Sequence, residues 1–208
     1  MSAPRTPSHT VDLLGAADTA VEALRPLAER MRPRTLAQMV GQRRLLAEGS
    51  ALRRAIEAGH VHSMILWGPP GCGKTTLALL LAQHAQAEFV AISAVLSGLP
   101  QVREVLAAAQ ARFDAGQRTL LFVDEVHRFN KVQQDAFLPY IERVFFFNDT
   151  ATTENPSFEL NSALLSRCRV HVLEAVSADD IAIALRHALG DDTQGLGGRG
   201  LVITDVAL

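Results

Sequence analysis

Short apolar runs alternate with amphipathic stretches along most of the chain, and this alternation predicts an α/β fold. The apolar runs predict strands at residues 64–67, 89–92, 118–123, 144–147 and 170–173. Helical spacing of apolar residues predicts helices at residues 44–58, 75–86, 100–115, 131–141, 156–165 and 181–189. Strands that alternate with helices usually form a parallel sheet covered on both faces. We therefore expect a three-layer sandwich with a mostly parallel sheet.

Composition divides the chain into three predicted parts. Residues 1–25 begin with Pro, Ser and Thr and continue with Ala and Leu, so we expect disorder or a weak helix there. Residues 26–175 carry the alternating pattern and are expected to form the α/β domain. Residues 176–208 contain one clear helical pattern with acidic residues in its first turn, followed by a Gly-rich stretch. This third part is expected to begin a helical element.

The bulk properties narrow the class of protein. The formal net charge of −2 gives no global basic field, so any nucleic-acid contact would need a local patch or an assembled ring. The two cysteines, Cys72 and Cys168, cannot form a disulfide framework and indicate a reducing compartment. Apolar runs are far shorter than the roughly 18 residues of a membrane span, and the first residues lack the apolar core of a signal peptide. We expect a cytoplasmic protein without a membrane partner.

A glycine-rich sequence, Gly-Pro-Pro-Gly-Cys-Gly-Lys-Thr, occupies residues 68–75 between a predicted strand and a predicted helix. It matches the phosphate-loop pattern G-x-x-x-x-G-K-[ST], whose backbone N–H groups surround phosphate oxygens. Lys74 adds a positive charge near the β- and γ-phosphates, and Thr75 offers a hydroxyl to Mg²⁺. The following helix turns its positive amino end toward the anion. A chance Gly-rich turn is the alternative, but it would not require the flanking strand and helix.

Two carboxylates, Asp124 and Glu125, end the predicted strand 118–123. Ligands of parallel α/β sheets bind at the carboxyl ends of the strands. Asp124 can hold Mg²⁺ through water beside Thr75, and Glu125 can orient and deprotonate the water that attacks the γ-phosphate. Alone, the pair would more readily indicate a solvated turn. About 50 residues after a phosphate loop, it favours nucleotide hydrolysis.

Further candidates are less specific when taken from the residues alone. His127 could sense phosphate or have a structural role. Thr152 and Thr153 end the next predicted strand and could bind the γ-phosphate or form a polar turn. Arg167 could serve the ATP of a neighbouring subunit or be an ordinary surface arginine. The Arg- and Pro-rich residues 26–35 could fold over a bound base or form a solvated linker.

Several strings in this order resemble the AAA+ ATPases of the clamp-loader group. Within that group, the chain resembles the replication-associated recombination protein A family, which is similar to the eukaryotic Werner-helicase-interacting ATPases. The resemblance covers about residues 26–188 and is carried by Arg-Met-Arg-Pro at 30–33, Val-Gly-Gln at 40–42, and the strings at 124–135 and 151–161. It implies that residues 26–175 are the AAA+ ATPase core and that residues 176–208 are a truncated helical lid.

The resemblance implies an ATPase that uses ATP and Mg²⁺, assembles into homo-oligomers and acts on DNA at stalled replication forks. The implied DNA is forks, ends or single-stranded gaps, the implied partner is single-strand binding protein, and the location is cytoplasmic and nucleoid-associated. Alternatives are a clamp-loader or branch-migration ATPase subunit, or a nucleotide-binding interaction module with little turnover.

The resemblance also assigns residues to roles. It implies that Glu125 is the catalytic base, Thr153 the sensor on the fourth strand and Arg167 the finger supplied to an adjacent subunit, with Lys74 also catalytic. Thr75 and Asp124 are the implied metal ligands. The implied nucleotide contacts are Val40, Gly41, Gly68, Pro69, Pro70, Gly71, Cys72, Gly73, Lys74, Thr75 and Thr76.

Two departures from the family affect these expectations. The chain stops inside the implied lid, so we expect a fragment that binds nucleotide but hydrolyses it poorly. The strand before Thr152 reads Val-Phe-Phe-Phe-Asn-Asp-Thr instead of a Gly followed by an alternating strand. Asp149 would be costly if it were buried there without a partner.

Residues 145–154 also resemble translated sequencing-adapter sequence. We therefore hypothesise that residues 144–150 are an assembly artefact. Resequencing the source locus tests this, and recovery of the same codons in one uninterrupted read would contradict it.

Overall fold

The structure is a computed structural model that describes residues 25–150 and 160–201, with the backbone alone described for residues 147–150. The predictions for residues 1–24, for Thr152 and for Thr153 lie outside the described residues. In the described part of the chain, no helix is long and apolar enough to cross a membrane.

Five parallel strands form one sheet at the positions of the predicted strands, except that β4 continues past the predicted end at residue 147 to Thr150. They are β1 (Met64–Trp67), β2 (Ala87–Ser93), β3 (Arg118–Asp124), β4 (Phe145–Thr150) and β5 (Arg169–Val172). The order across the sheet is β2-β3-β4-β1-β5, so β4 lies between the two strands that precede the phosphate loop and the carboxylate pair. Because all pairs are parallel, the carboxyl ends of all five strands lie at one edge.

Seven helices connect and flank these strands within the described residues. They are α1 (Leu27–Arg30), α2 (Ala51–Glu57), α3 (Lys74–His84), α4 (Leu99–Asp114), α5 (Lys131–Asp135), α6 (Ser162–Leu165) and α7 (Ala178–Gly190). Short 3₁₀ turns occur at Leu36–Gln38, Val126–Arg128 and Gly197–Arg199. Residues 33–181 form one compact unit, and a second unit contains the described residues 25–32 and 182–201.

Each face of the sheet carries its own apolar core, which confirms the α/β class and the parallel sheet. Met64 and Leu66 of β1 pack with side chains of α2 and α3 on one face. Ile65, between them in sequence, packs on the other face with Leu106 of α4 and Phe137. This alternation is the period of two expected for a strand covered on both sides. The result is a helix–sheet–helix sandwich.

The predicted helix at residues 44–58 is wrong in its first half. Gly49 adopts a left-handed φ of +77°, which breaks any continuous helix. Ser50 then caps α2: its hydroxyl accepts from Arg53 N at 3.2 Å and donates to the Leu45 carbonyl at 2.8 Å. Side-chain capping therefore sets the start of the helix at Ala51, a choice that apolar spacing alone does not reveal.

The predicted helix at residues 131–141 is also too long. Asn130 and Gln133 form a capping box at its start, but α5 ends at Asp135. Beyond it, Phe137 N and Leu138 N donate to carbonyls three residues earlier instead of four. The tighter turns bury Phe137 completely against the sheet. Tertiary packing has replaced regular helix there.

In the second unit, one carboxylate organises the loop after α7. The Asp191 carboxylate accepts from Thr193 N, Thr193 Oγ1 and Gln194 N, each at 2.8 Å. These hydrogen bonds, led by the one from Gln194, lower the pKa of Asp191 to about 2. The residue acts as a local turn anchor.

A pair of histidines is formed by His62, just before β1, and His171, within β5. The His62 and His171 ring centroids are 6.0 Å apart, and Nε2 of each is buried without a hydrogen-bond partner among the described residues. Burial, followed by the charges of His62 and Arg169, lowers the pKa of His171 from 6.5 to about 4. Burial and Arg169 also lower the pKa of His62. Both rings are held neutral at pH 7.

We predict that this pair makes stability fall in mild acid. Between about pH 6.5 and pH 4 the unfolded chain binds more protons than the folded chain, so the free energy of unfolding falls as the pH falls through this window. Urea unfolding at about pH 7 and about pH 5 measures the loss. His171→Gln should lose less stability than the unsubstituted chain, whereas His84→Gln, at the exposed end of α3, should lose as much. An equal loss in His171→Gln would contradict the prediction.

Candidate functional site

The phosphate loop joins β1 to α3 in a conformation that requires its glycines. Gly71 and Gly73 have left-handed φ values of +76° and +95°. A Cβ added at Gly68 would lie 2.5 Å from the Leu173 carbonyl oxygen, too close for real atoms. Gly68 therefore permits the loop to lie against the end of β5, and the other two permit its curvature.

Lys74 is buried inside this loop, with only 4% of its surface exposed. Its ammonium donates to the Gly68 carbonyl at 2.7 Å and the Pro69 carbonyl at 2.9 Å, and lies 3.9 Å from Cys72 Sγ. Because carbonyl dipoles face the charge, the ammonium is held at the loop's centre. A fixed cation beside the amino end of α3 is suited to an anion.

The remaining predicted loop contacts differ in exposure. Cys72 is buried, Gly73, Pro69 and Thr76 are half-buried, and Pro70 and Thr75 are exposed. The Thr75 hydroxyl is thus open at the first turn of α3. Hydroxyl, carboxylate and water oxygens are the ligands that Mg²⁺ prefers, so Thr75 and Asp124 are a chemically suitable donor pair. No cluster of three or more His, Cys, Asp or Glu side chains that could hold a metal occurs among residues 25–150 and 160–201.

The carboxylate pair lies at the same sheet edge as the loop. Asp124 is the last residue of β3, and its carbonyl accepts from Ala94 N at 2.9 Å, which ties the ends of β3 and β2 together. Glu125 has a left-handed φ of +52°, uncommon for a residue with a side chain. Its carboxylate lies 3.6 Å from Arg128 Nε. His127 lies in the 3₁₀ turn that follows.

One important residue beside the site was not predicted from the sequence. Gln42 is 5% exposed, and its amide donates to the Cys72 carbonyl at 3.2 Å and the Glu174 carbonyl at 2.7 Å. Its amide oxygen accepts from Glu174 N at 3.0 Å. Gln42 thus connects residues 40–43 to the phosphate loop and to the segment after β5. A Gly-Gln pair carries no periodic signal that would have revealed this role.

The neighbouring residues extend this connection to the start of α7. Val40 and Gly41 are half-buried, and Gly41 has a φ of +77°. Arg43 forms an ion pair with Asp180 at 3.0 Å. The hydrogen bond from the Ser177 hydroxyl, assisted by Arg43, holds the pKa of Asp180 below its ordinary value despite its burial. The residues that follow Val40 and Gly41 are therefore fixed to the phosphate loop, to Glu174 and to Asp180.

Arg167 lies apart from these groups in its contacts. It is exposed just after α6, and its guanidinium donates to the Ala163 carbonyl at 3.0 Å. Among the described residues it makes no hydrogen bond or ion pair with the phosphate loop. The adjacent Cys168 is buried, which raises the pKa of its thiol to about 11. The structure thus brings together the loop and residues 40–43, and leaves Arg167 facing solvent.

We predict that Gln42→Leu destabilises the unit formed by residues 33–181. The substitution leaves backbone groups of Cys72 and Glu174 without their partner, which should lower the free energy of unfolding by about 1–3 kcal/mol. Denaturant unfolding measures this, with Gln117→Leu at an exposed position as the matched control. A Gln42→Leu protein as stable as the control would exclude the proposed connecting role.

Comparisons with known proteins agree with this geometry. The profile of the ATPase family associated with various cellular activities (AAA) matches residues 64–175. Replication-associated recombination protein A of Escherichia coli K12 is 58% identical over 188 residues, covering 90% of this chain and 42% of that protein. ATPase WRNIP1 of Dictyostelium discoideum is 44% identical over 164 residues, covering 79% of this chain and 19% of that protein.

A solved structure of the Thermotoga maritima RuvB Holliday junction branch migration motor is also similar. Its TM-score is 0.62 at 26% identity, over 77% of this chain and 54% of that one. The chain spans less than half the length of the curated relatives described above. These findings confirm the resemblance to replication-associated recombination protein A, and the chain belongs to the AAA family of ATPases.

Proposed function

We propose that the chain binds ATP with Mg²⁺ and hydrolyses ATP as the ATPase part of a protein that acts on DNA at stalled replication forks. The observation that carries this proposal is the buried Lys74 ammonium at the centre of a glycine-shaped loop, at the same sheet edge as Asp124 and Glu125. The names of the relatives support the replication and recombination role.

Different residues would have different roles in binding and hydrolysing ATP. Backbone N–H groups of residues 71–75 and the Lys74 ammonium would hold the phosphates, exchanging the ammonium's carbonyl contacts for phosphate oxygens. Thr75 and Asp124 would hold Mg²⁺, which supplies charge neutralisation when bound. Glu125 would orient the attacking water and take its proton. Val40 and Gly41 would lie against the base.

Two further roles are proposed for Thr153 and Arg167. Thr153, which follows β4 in the sequence, would sense the γ-phosphate, since β4 lies between β1 and β3. Arg167 would act on the ATP of a neighbouring copy in a homo-oligomer, which its exposure permits. DNA forks, ends or single-stranded gaps, and single-strand binding protein, are the proposed partners.

The second candidate is a nucleotide-binding module with little turnover. It is favoured by the contact of Arg167 with its own helix. A branch-migration or clamp-loader subunit is a weaker alternative, because the identity to the RuvB structure is 26%, against 58% to the recombination protein. We propose that this 208-residue chain binds ATP well and hydrolyses it slowly.

We predict that Glu125→Gln abolishes most hydrolysis and preserves ATP binding. Removal of a general base typically costs about 10²- to 10⁴-fold in rate, whereas the phosphate contacts remain. Phosphate release measures the first effect and fluorescent-nucleotide binding the second. Glu104→Gln, exposed on α4, is the control and should match the unsubstituted chain.

Turnover of the unsubstituted chain separates the two candidates. Hydrolysis that depends on Glu125 favours the ATPase, and retained binding with no such hydrolysis favours the module. In the same assay, Arg167→Ala should slow hydrolysis and leave ATP affinity unchanged. Turnover equal to that of a longer relative would contradict the proposed slow hydrolysis.

A further inference from the structure

A cleft of about 680 Å³ opens at the amino-terminal edge of the sheet, opposite the edge that carries the phosphate loop. Its lining includes the first residues of three strands, Arg118 of β3, Phe145 of β4 and Arg169 of β5. Ligand sites of proteins commonly have volumes of about 300–1,000 Å³. The cleft is therefore large enough for a ligand, and nothing in the proposed ATP chemistry uses it.

The charged side chains that line this cleft are mostly positive. Four arginines line it: Arg54 from α2, Arg118, Arg143 immediately before β4, and Arg169. Glu142 is the acidic residue in the lining. In the part of the chain that the structure describes, no carboxylate forms an ion pair with any of the four arginines. An otherwise slightly acidic chain thus concentrates unneutralised positive charge at one concave place.

The arginines keep their guanidinium groups available. Arg143 donates to the neutral amide oxygen of Gln110 at 3.1 Å, which leaves its charge uncompensated. The Arg118 guanidinium carbon lies 6.0 Å from the ring centroid of Phe145, a cation–π distance that orients the group without neutralising it. Guanidinium groups bind phosphate and carboxylate oxygens in a planar, bidentate manner. The ligand indicated by these contacts is an anion.

An aromatic surface accompanies the charges. Phe113, at the end of α4, is 44% exposed within the lining. Exposing a phenylalanine ring is unfavourable in water, and a ring beside a cationic groove offers a platform on which a nucleic-acid base can stack. A paired base cannot use such a platform, because its faces are already stacked in the duplex. The ring therefore favours a single strand.

The spacing of the arginines suits a chain of repeated anions. Two strands, β4 and β1, separate β3 from β5, and neighbouring strands lie about 4.8 Å apart. Arg118 and Arg169 therefore begin strands about 14 Å apart across the sheet, with Arg143 before the intervening β4. A row of cations along one edge of the sheet can contact several phosphates of one strand.

We propose that this cleft binds single-stranded nucleic acid, with the arginines on successive phosphates and Phe113 stacked on a base. The proposal rests on the proposed function, because a DNA-acting protein must hold a polyanion. It adds a site on the opposite edge of the sheet from ATP. An acidic peptide would satisfy the arginines, but it would not explain an aromatic platform beside a row of cations as fully.

Anisotropy of fluorescein-labelled dT20 with the full 208-residue chain, at several salt concentrations, tests this proposal. Arg118→Gln combined with Arg143→Gln should weaken binding at least about tenfold. It should also reduce the slope of log affinity against log salt by about 0.7 for each phosphate that the protein no longer neutralises. Phe113→Ala should weaken binding about tenfold with an unchanged slope, because stacking releases no counterions.

Two further variants keep the experiment interpretable. Arg103→Gln, exposed on α4 outside the cleft, is the matched control and should bind dT20 as the unsubstituted chain does. Arg54→Glu changes only a helix position with an accessible side chain, so it is the second test if the strand-end variants unfold; it should weaken binding more than Arg54→Gln. Unchanged ATP binding in each variant shows that the fold is retained.

The outcomes distinguish this proposal from the proposed function. Unchanged dT20 affinity and salt slope in the cleft variants would overturn the cleft proposal, as would binding of a ten-residue alternating Asp-Phe peptide in place of dT20. If dT20 binding is unchanged in the cleft variants while forked DNA still stimulates ATP hydrolysis, the cleft proposal fails and the proposed function stands. If the unsubstituted chain neither binds dT20 nor responds to forked DNA, both fail.

Discussion

Parallel alignment of all five strands is the constraint on which the rest of the structure depends. Because the strands run in one direction, every loop after a strand meets at one edge and every loop before a strand meets at the other. The first edge receives the phosphate loop from β1 and Asp124 from β3. The second edge receives Arg118 and Arg169. Because all strands run parallel, the sheet has two chemically different edges.

Residues outside the phosphate loop hold the loop in its observed shape. Gly68 lies against the Leu173 carbonyl, and Gln42 fixes the Cys72 carbonyl while binding both backbone groups of Glu174. The contacts with Leu173 and Glu174 join segments more than 100 residues apart in sequence, so the loop can hold its curvature before any anion arrives. Because the loop is already ordered, less binding free energy is lost in ordering it when a nucleotide binds. This favours tight nucleotide binding even where turnover is slow.

The sequence predicts the strands better than the helix ends or the second cleft. The run at residues 64–67 is apolar at every position, because both faces of a central parallel strand are covered, and β1 has these bounds. Helix starts depend on individual caps such as Ser50, and α5 ends where packing of Phe137 imposes tighter turns. The cleft arginines come from residues 54 to 169, and each alone is typical of an ordinary surface arginine. Their grouping exists only after folding.

Backbone strain supports a functional role for Glu125 more directly than its position in the motif. In the described part of the chain, Gln42, Gln86 and Glu125 have left-handed φ values without being glycine. Gln86 follows the end of α3, where this conformation is common, and Gln42 offsets its cost with three side-chain hydrogen bonds. Among the described residues, the Glu125 side chain has one contact, with Arg128 Nε at 3.6 Å, and its backbone carbonyl accepts from Arg128 N at 2.8 Å. Its side chain thus forms fewer hydrogen bonds than that of Gln42, and a backbone cost of about 1–3 kcal/mol at such a position is typical of residues held for chemistry rather than for stability.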